Sequence, residues 1–354
     1  YLLLFSLSFS FNSLFEIKSE TKDEITISIN VEDYEVNNNE LGNILTIVGS
    51  GTRSQIGEPS LPSISSFVAL DKNMNYDIKY NIISEEELTN INIAPQQSFD
   101  RNNLEIVKNN HIYDSNTPYP NENLIVSDRQ NMRGYEFVNL EFVPFIYNPK
   151  QSTVKVLKEV EITITKIDTN NNLNSIDLPK SKVFERLVNA LVVNPSNTES
   201  DFRNEDYQKP AILYICGGST ETNPSFQQLV KWRRKQGYIV YTASTSEIGG
   251  SNTSAVKNYL ESTMSWEIPP EFVTLIGDDG GTYNIDSFTE YDSGYNGEGD
   301  HPYSQLIGND LWPEVILGRI SIRSLSELAV VVNKILGYEQ VSDNSENWHE
   351  KAAL

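Results

Sequence analysis

KPAILYICGGSTETNPSFQQLVKWRRKQGYIVYTA, residues 209–243, decides the fold. AILYIC is apolar without alternation, as a strand covered on both faces requires. Gly217-Gly218 then turns the chain, Asn223-Pro224 opens a segment of helical period, and Phe226, Leu229, Val230 and Trp232 share one face of it. Gly237 closes that segment before a second apolar run, YIVYTA. Strand, loop, helix and strand in this order make a βαβ unit, which places the two strands in parallel.

The unit repeats downstream. Val256, Leu260 and Met264 line a second helix at spacing four, Pro269 and Pro270 stop it, and FVTLIG supplies a third strand from Phe272. EVILG from Glu314 reads as a fourth strand. A last helix follows Ser324, where Ser-Leu-Ser-Glu has the spacing of a capping box and Leu325, Leu328, Val332, Ile335 and Leu336 form its stripe. A parallel sheet flanked by helices is therefore expected, with right-handed crossovers and functional groups at the strands' carboxyl ends. Its strand order is not legible.

Upstream the period changes from helical to twofold. EITISINVEDYEV (24–36) and NILTIVGSGT (43–52) alternate apolar and polar residues, and strand-like runs follow at 76–83, 135–147 and 153–167. A β-rich sheet or sandwich is expected there, with VFERLVNALVV (183–193) as a short helix. The polar stretch NPSNTESDFRNEDYQK from Asn194 reads as a linker. The resulting division is 1–19 as a leader remnant, 20–193 as the β-rich domain, 194–208 as the linker and 209–354 as the α/β part.

A net charge of -22, from 49 acidic against 27 basic residues, repels a phosphate backbone and argues against nucleic acid as a partner. It fits an extracellular surface and hard cations as ligands. Cys216 is the one cysteine of the sequence, so these residues form no internal disulfide and no cysteine zinc cage. The first fifteen residues, YLLLFSLSFSFNSLF, suit a signal-peptide core, or else a buried strand, and no later stretch is fit to span a membrane. Without an initiator Met or a basic segment before it, the sequence reads as cut at its front.

Several residues invite a chemical reading. Cys216 stands at a strand end beside Gly217-Gly218, where a nucleophile could be exposed, yet no base is near it in sequence, and a lone thiol there is also an ordinary core residue. His111, His301 and His349 are scattered. Neither nucleotide-binding glycine motif occurs, and DSGYNGEGD from Asp292 lacks the oxygen side chains of a calcium loop. Asp278, Asp279, Asp300, Asp310 and Glu314 gather where strands three and four meet the sheet edge. Such a cluster is either solvated or holds a cation.

In order along the chain, GEPSLP (57–62), NIAP (92–95), RGYEFVNLEFVPFIYNP (133–149), LVKWRRKQG (229–237), FVTLIGD (272–278), QLIGNDLWPEVILGRIS (305–321) and KILGYE (334–339) resemble the gingipain-type cysteine peptidases, the C25 family. The long motif around Asp310 is the specific one. The resemblance implies a caspase-like α/β catalytic part behind a β-rich propeptide domain that acts as an intramolecular inhibitor. It also implies a secreted or cell-surface endopeptidase zymogen acting on protein or peptide substrates through a Cys-His dyad.

In that family both dyad residues lie farther along than KILGYE, so the resemblance puts them beyond Leu354 and gives neither Cys216 nor His301 a catalytic role. A preference for the cleaved residue does not carry over. The family's calcium site does map, onto Asp278, Asp310 and Glu314 with the carbonyls of Ile307 and Trp312. Two other readings stay open: a sortase-like transpeptidase of a secretion system, and an adhesion or binding module without a dyad.

Overall fold

A computed structural model describes residues 14–98, 105–169, 177–195, 207–292, 295–308 and 310–340. Most of the expected leader, most of the expected linker and His349 lie outside the described residues. The chain forms two compact units, one of Tyr1–Gln130, Tyr135–Ser175 and Leu187–Asn197, the other of Asn131–Gly134, Ile176–Arg186 and Thr198–Leu354.

In the first unit two mainly antiparallel sheets enclose one core. Thr153–Thr169 is the long strand of the first sheet, flanked by Glu24–Asn30 and Phe145–Asn148 on one edge and by Met74–Thr89 on the other. Register follows the alternation. Ile25, Ile27 and Ile29 stand opposite Ile164, Ile162 and Val160, and all six are buried. The second sheet pairs Pro62–Leu70 with Tyr135–Phe142 and sends Ile64, Val68, Val138, Leu140 and Phe142 into the same core.

Two expected strands prove to be composite. The run 135–147 is Tyr135–Phe142 in one sheet and Phe145–Asn148 in the other, with the change of sheet at Val143-Pro144. Pro144 has no N–H for a ladder, and its carbonyl accepts from the Leu157 amide at 2.9 Å instead. The run 24–36 likewise ends as Glu24–Asn30, and Glu35–Asn39 turns away to pair with Gly42–Thr46.

The second unit is built on four parallel strands, β1 (Ala211–Cys216), β2 (Ile239–Ser244), β3 (Phe272–Ile276) and β4 (Ile316–Ile320), in the order β2-β1-β3-β4. Helices α1 (Pro224–Lys235), α2 (Thr253–Thr263) and α3 (Leu325–Gln340) cover it. The unbroken apolar run of β1 is explained by both faces. Ile212, Tyr214 and Cys216 pack with Phe226, Leu229 and Val230 of α1 and Leu328 and Val332 of α3. Leu213 and Ile215 pack on the other side with Val256, Leu260 and Met264 from α2 and its C-cap.

Local signals set the helix ends. The Asn223 side chain accepts from the amides of Ser225 and Phe226 ahead of Pro224, and Gly237 turns the chain out of α1 at φ +95°. At α3 the Ser324 hydroxyl accepts from the Glu327 amide, 3.2 Å.

Candidate functional site

The carboxyl ends of β1 and β3 are closed by one loop. Gly217 and Gly277 both back onto the Tyr283 carbonyl, and a methyl group at either would stand 2.4 or 2.1 Å from that oxygen. A hairpin of Phe288–Asp292 and Tyr295–Gly299 follows, then a single 3-10 turn at His301–Tyr303, and then an excursion that leads into β4.

The acidic residues of this edge are individually committed. Asp300 takes a two-pronged contact from Arg319 of β4, 2.7 Å at each oxygen, while Arg319 also donates to the Ile285 carbonyl at 2.8 Å. Asp279 accepts from the Ser287 hydroxyl at 2.9 Å. Asp278 accepts from the Ser321 hydroxyl at 2.7 Å and from Arg323 at 2.9 Å, and these bonds hold its carboxyl below the usual range.

Asp310 and Glu314 share the excursion before β4. Asp310 accepts from the amides of Trp312 at 2.9 Å and Asn131 at 3.0 Å. Glu314 is fully buried, and its Oε2 accepts from the amides of Leu306 at 2.6 Å and Ile307 at 3.1 Å. Its Oε1 has no hydrogen-bond partner. Burial raises the Glu314 carboxyl to about 7, and the charge of Asp310 pushes the same way, against the two amides. Lys257 of α2 donates to the Pro302 carbonyl at 2.6 Å and also to that of Gln305, fixing the excursion to the helix.

Of the five residues expected to hold calcium, then, Ile307, Asp310, Trp312 and Glu314 lie together on one excursion, and Asp278 faces Ser321 and Arg323. Among the described residues no three His, Cys, Asp or Glu side chains converge as ligands of one ion. The residues of the excursion nevertheless suit a hard cation, since a buried carboxylate oxygen without a donor is what a cation would satisfy.

Cys216 is buried on the α1 and α3 face, and burial pushes its thiol up to about 12. A thiol so placed is protonated at neutral pH and closed to substrate, which is a core role. His111 and His301 are exposed, one in the first unit and one in the second. Sequence reasoning missed Arg319 and Lys257. A charge inside an apolar strand, as in VILGRIS, is the signal that could have pointed to Arg319. Lys257, on the polar side of a helix pattern, gives none.

Peptidase family C25 matches residues 205–354, and the family Propeptide_C25 matches residues 24–186. Gingipain R1 of Porphyromonas gingivalis is 23% identical over 308 residues, covering 83% of this chain and 29% of the relative. Lys-gingipain of the same organism is 22% identical, covering 99% of this chain and 20% of the relative. The chain thus spans well under half the length of either. Among solved structures, a complex of the pro- and mature domains of RgpB from Porphyromonas gingivalis aligns with a TM-score of 0.45 and 18% identity, over 51% of this chain and 97% of that one. The Arg-specific cysteine proteinase gingipain R aligns at 0.31 and 20% identity, over 37% and 28%.

Proposed function

The chain belongs to peptidase family C25, and from this premise we propose that it is the leading part of a secreted or cell-surface cysteine endopeptidase zymogen. One observation carries the reading: the family's propeptide and peptidase modules match in tandem, at 24–186 and 205–354. The first unit acts as an intramolecular inhibitor, and protein or peptide chains are the substrates. Peptide hydrolysis needs a thiolate to attack the carbonyl and a histidine to manage its proton. This reading does not assign the role to Cys216, whose thiol is buried and pushed up by that burial to about 12. The dyad of this reading lies beyond Leu354, where the family resemblance puts it.

The test compares residues 1–354 with the full-length protein on a peptide library, with and without glycinamide as an added amine. The expected outcome is no turnover by 1–354, and from the matured full-length protein a free carboxylic acid product even with the amine present. An amide product would make it a transpeptidase, and no reaction in the full-length protein would leave a binding module. Thiol-dependent turnover by 1–354 that disappears in Cys216→Ala would overturn the assignment of the nucleophile.

We further propose that Asp278, Asp310 and Glu314, with the carbonyls of Ile307 and Trp312, hold a structural calcium ion. The support from the fold is the partnerless Oε1 of buried Glu314 with Asp310 on the same excursion. In this reading Asp278 exchanges Ser321 and Arg323 for the ion. The ion supplies positive charge to the crowded carboxylates, and these residues fix the approach to β4.

A further inference from the structure

Arg133 is only 2% exposed, a burial that arginine seldom tolerates without full pairing. It belongs to the turn Asn131–Gly134 of the second unit. The turn itself does not call for arginine. Arg133 and Gly134 both have positive φ, +51° and +85°, and the Gly134 amide donates to the Asn131 side chain at 2.7 Å. At a two-residue turn of this kind Asn-Gly or Asp-Gly is favoured, because a β-carbon is strained at positive φ. The reason for arginine must lie in what its side chain meets.

It meets acceptors. Nη1 donates to the carbonyls of Pro270 at 2.9 Å and Glu314 at 2.5 Å, and Nη2 to the carbonyl of Pro269 at 3.0 Å and the Gln208 side chain at 3.4 Å. The guanidinium carbon stands 5.2 Å from the Phe184 ring. Pro269 and Pro270 have no N–H, so that strip of main chain presents acceptors only. The Gln208 amide donates to the Pro269 carbonyl at 3.1 Å, leaving its oxygen to accept. Glu271 follows the two prolines; burial raises its carboxyl, and the Arg133 charge acts against that rise. All of these residues are in the second unit.

Acceptors that diverge onto two separate nitrogens, beside an aromatic face, suit a planar fork and not a compact ammonium. We propose that the carbonyls of Pro269, Pro270 and Glu314, with the Gln208 side chain, form a guanidinium receptor. Arg133 fills it in cis, and a free guanidinium, including that of an arginyl side chain, fills it when Arg133 is removed.

Chemical rescue tests this on the full 354-residue chain. Thermal unfolding of wild type, Arg133→Ala and Arg133→Lys is followed with methylguanidinium chloride or ammonium chloride at equal, low millimolar concentration. Arg133→Ala should melt several degrees below wild type, methylguanidinium should recover most of that loss, and ammonium should recover none. Arg133→Lys should stay low, and wild type should gain nothing from either salt. Wild-type melting of Arg133→Ala or of Arg133→Lys would overturn the proposal, as would equal recovery by the two salts or none by either. Should Arg133→Ala not fold, its refolding yield in the two salts replaces the melt. Selective recovery by methylguanidinium supports the receptor, and equal or no recovery overturns it.

Discussion

The fate of Cys216 follows from AILYIC: a thiol that closes an unbroken apolar strand inherits the strand's burial. With the thiol pushed to about 12, its thiolate fraction at pH 8 falls on the order of a thousandfold below that of a free cysteine. Native protein treated with iodoacetamide at pH 8 should therefore label at Cys216 at least about a thousandfold more slowly than unfolded protein. Labelling of the folded chain at the rate of a free thiol would contradict the core assignment.

No pattern in the sequence marks Glu271 as buried, yet in the fold it is 2% exposed, with Ser181, Arg133 and Gln208 as polar partners. Its carboxyl is raised, first by burial, while the Ser181 hydroxyl and the Arg133 charge act against the rise. A carboxyl whose folded value exceeds its unfolded value stabilises the fold below the unfolded value and loses that contribution as pH rises through the folded one. Glu271→Gln should thus melt above wild type at neutral pH, with the gap closing toward acid. A gap that is constant from acid to neutral, or of opposite sign, would refute this account.

At the scale of elements, the excursion that leads into β4 is where the calcium proposal is decided. Glu314 is buried there, its Oε1 is partnerless and Asp310 adds like charge, so a bound cation relieves both costs. Calcium should stabilise the folded chain by about 2.7 kcal/mol at a hundredfold excess over its dissociation constant, and so raise its melting temperature. Asp310→Ala should abolish the rise, and Glu298→Ala, on the exposed hairpin, should keep it. Superimposable melts with and without calcium, in metal-free folded protein, would return these carboxylates to solvated loop charges.

The elements themselves were largely legible. Each parallel strand of the second unit and each of α1, α2 and α3 announces itself through period and through caps such as Asn223-Pro224, because those signals are local. The crossing from one sheet to the other at Val143-Pro144 was not, since Phe142 and Phe145 continue the apolar count and only tertiary pairing separates them. The strand order β2-β1-β3-β4 was equally hidden, because crossover connections of similar length permit several orders.

For the whole molecule, the change from twofold to helical period separates a β-rich first unit from an α/β second one. What no periodicity discloses is that Asn131–Gly134 and Ile176–Arg186, both within the span matched by the propeptide family, are part of the second unit. Within that unit Arg133 donates to the Pro269 and Pro270 carbonyls, acceptors that no local pattern of the sequence marks. Maturation of a zymogen calls for a cut between its modules, and the polar sequence at 194–208, with Arg203 as a basic candidate, is where we expect it. The most direct measurement follows the purified full-length precursor in time, with chain cleavage located by mass spectrometry and peptide turnover recorded on the same samples. The account predicts no turnover by the intact precursor, turnover rising in step with cleavage within 194–208, and its loss on thiol alkylation. Full thiol-dependent activity in the uncleaved precursor, or none after that cut, would contradict it.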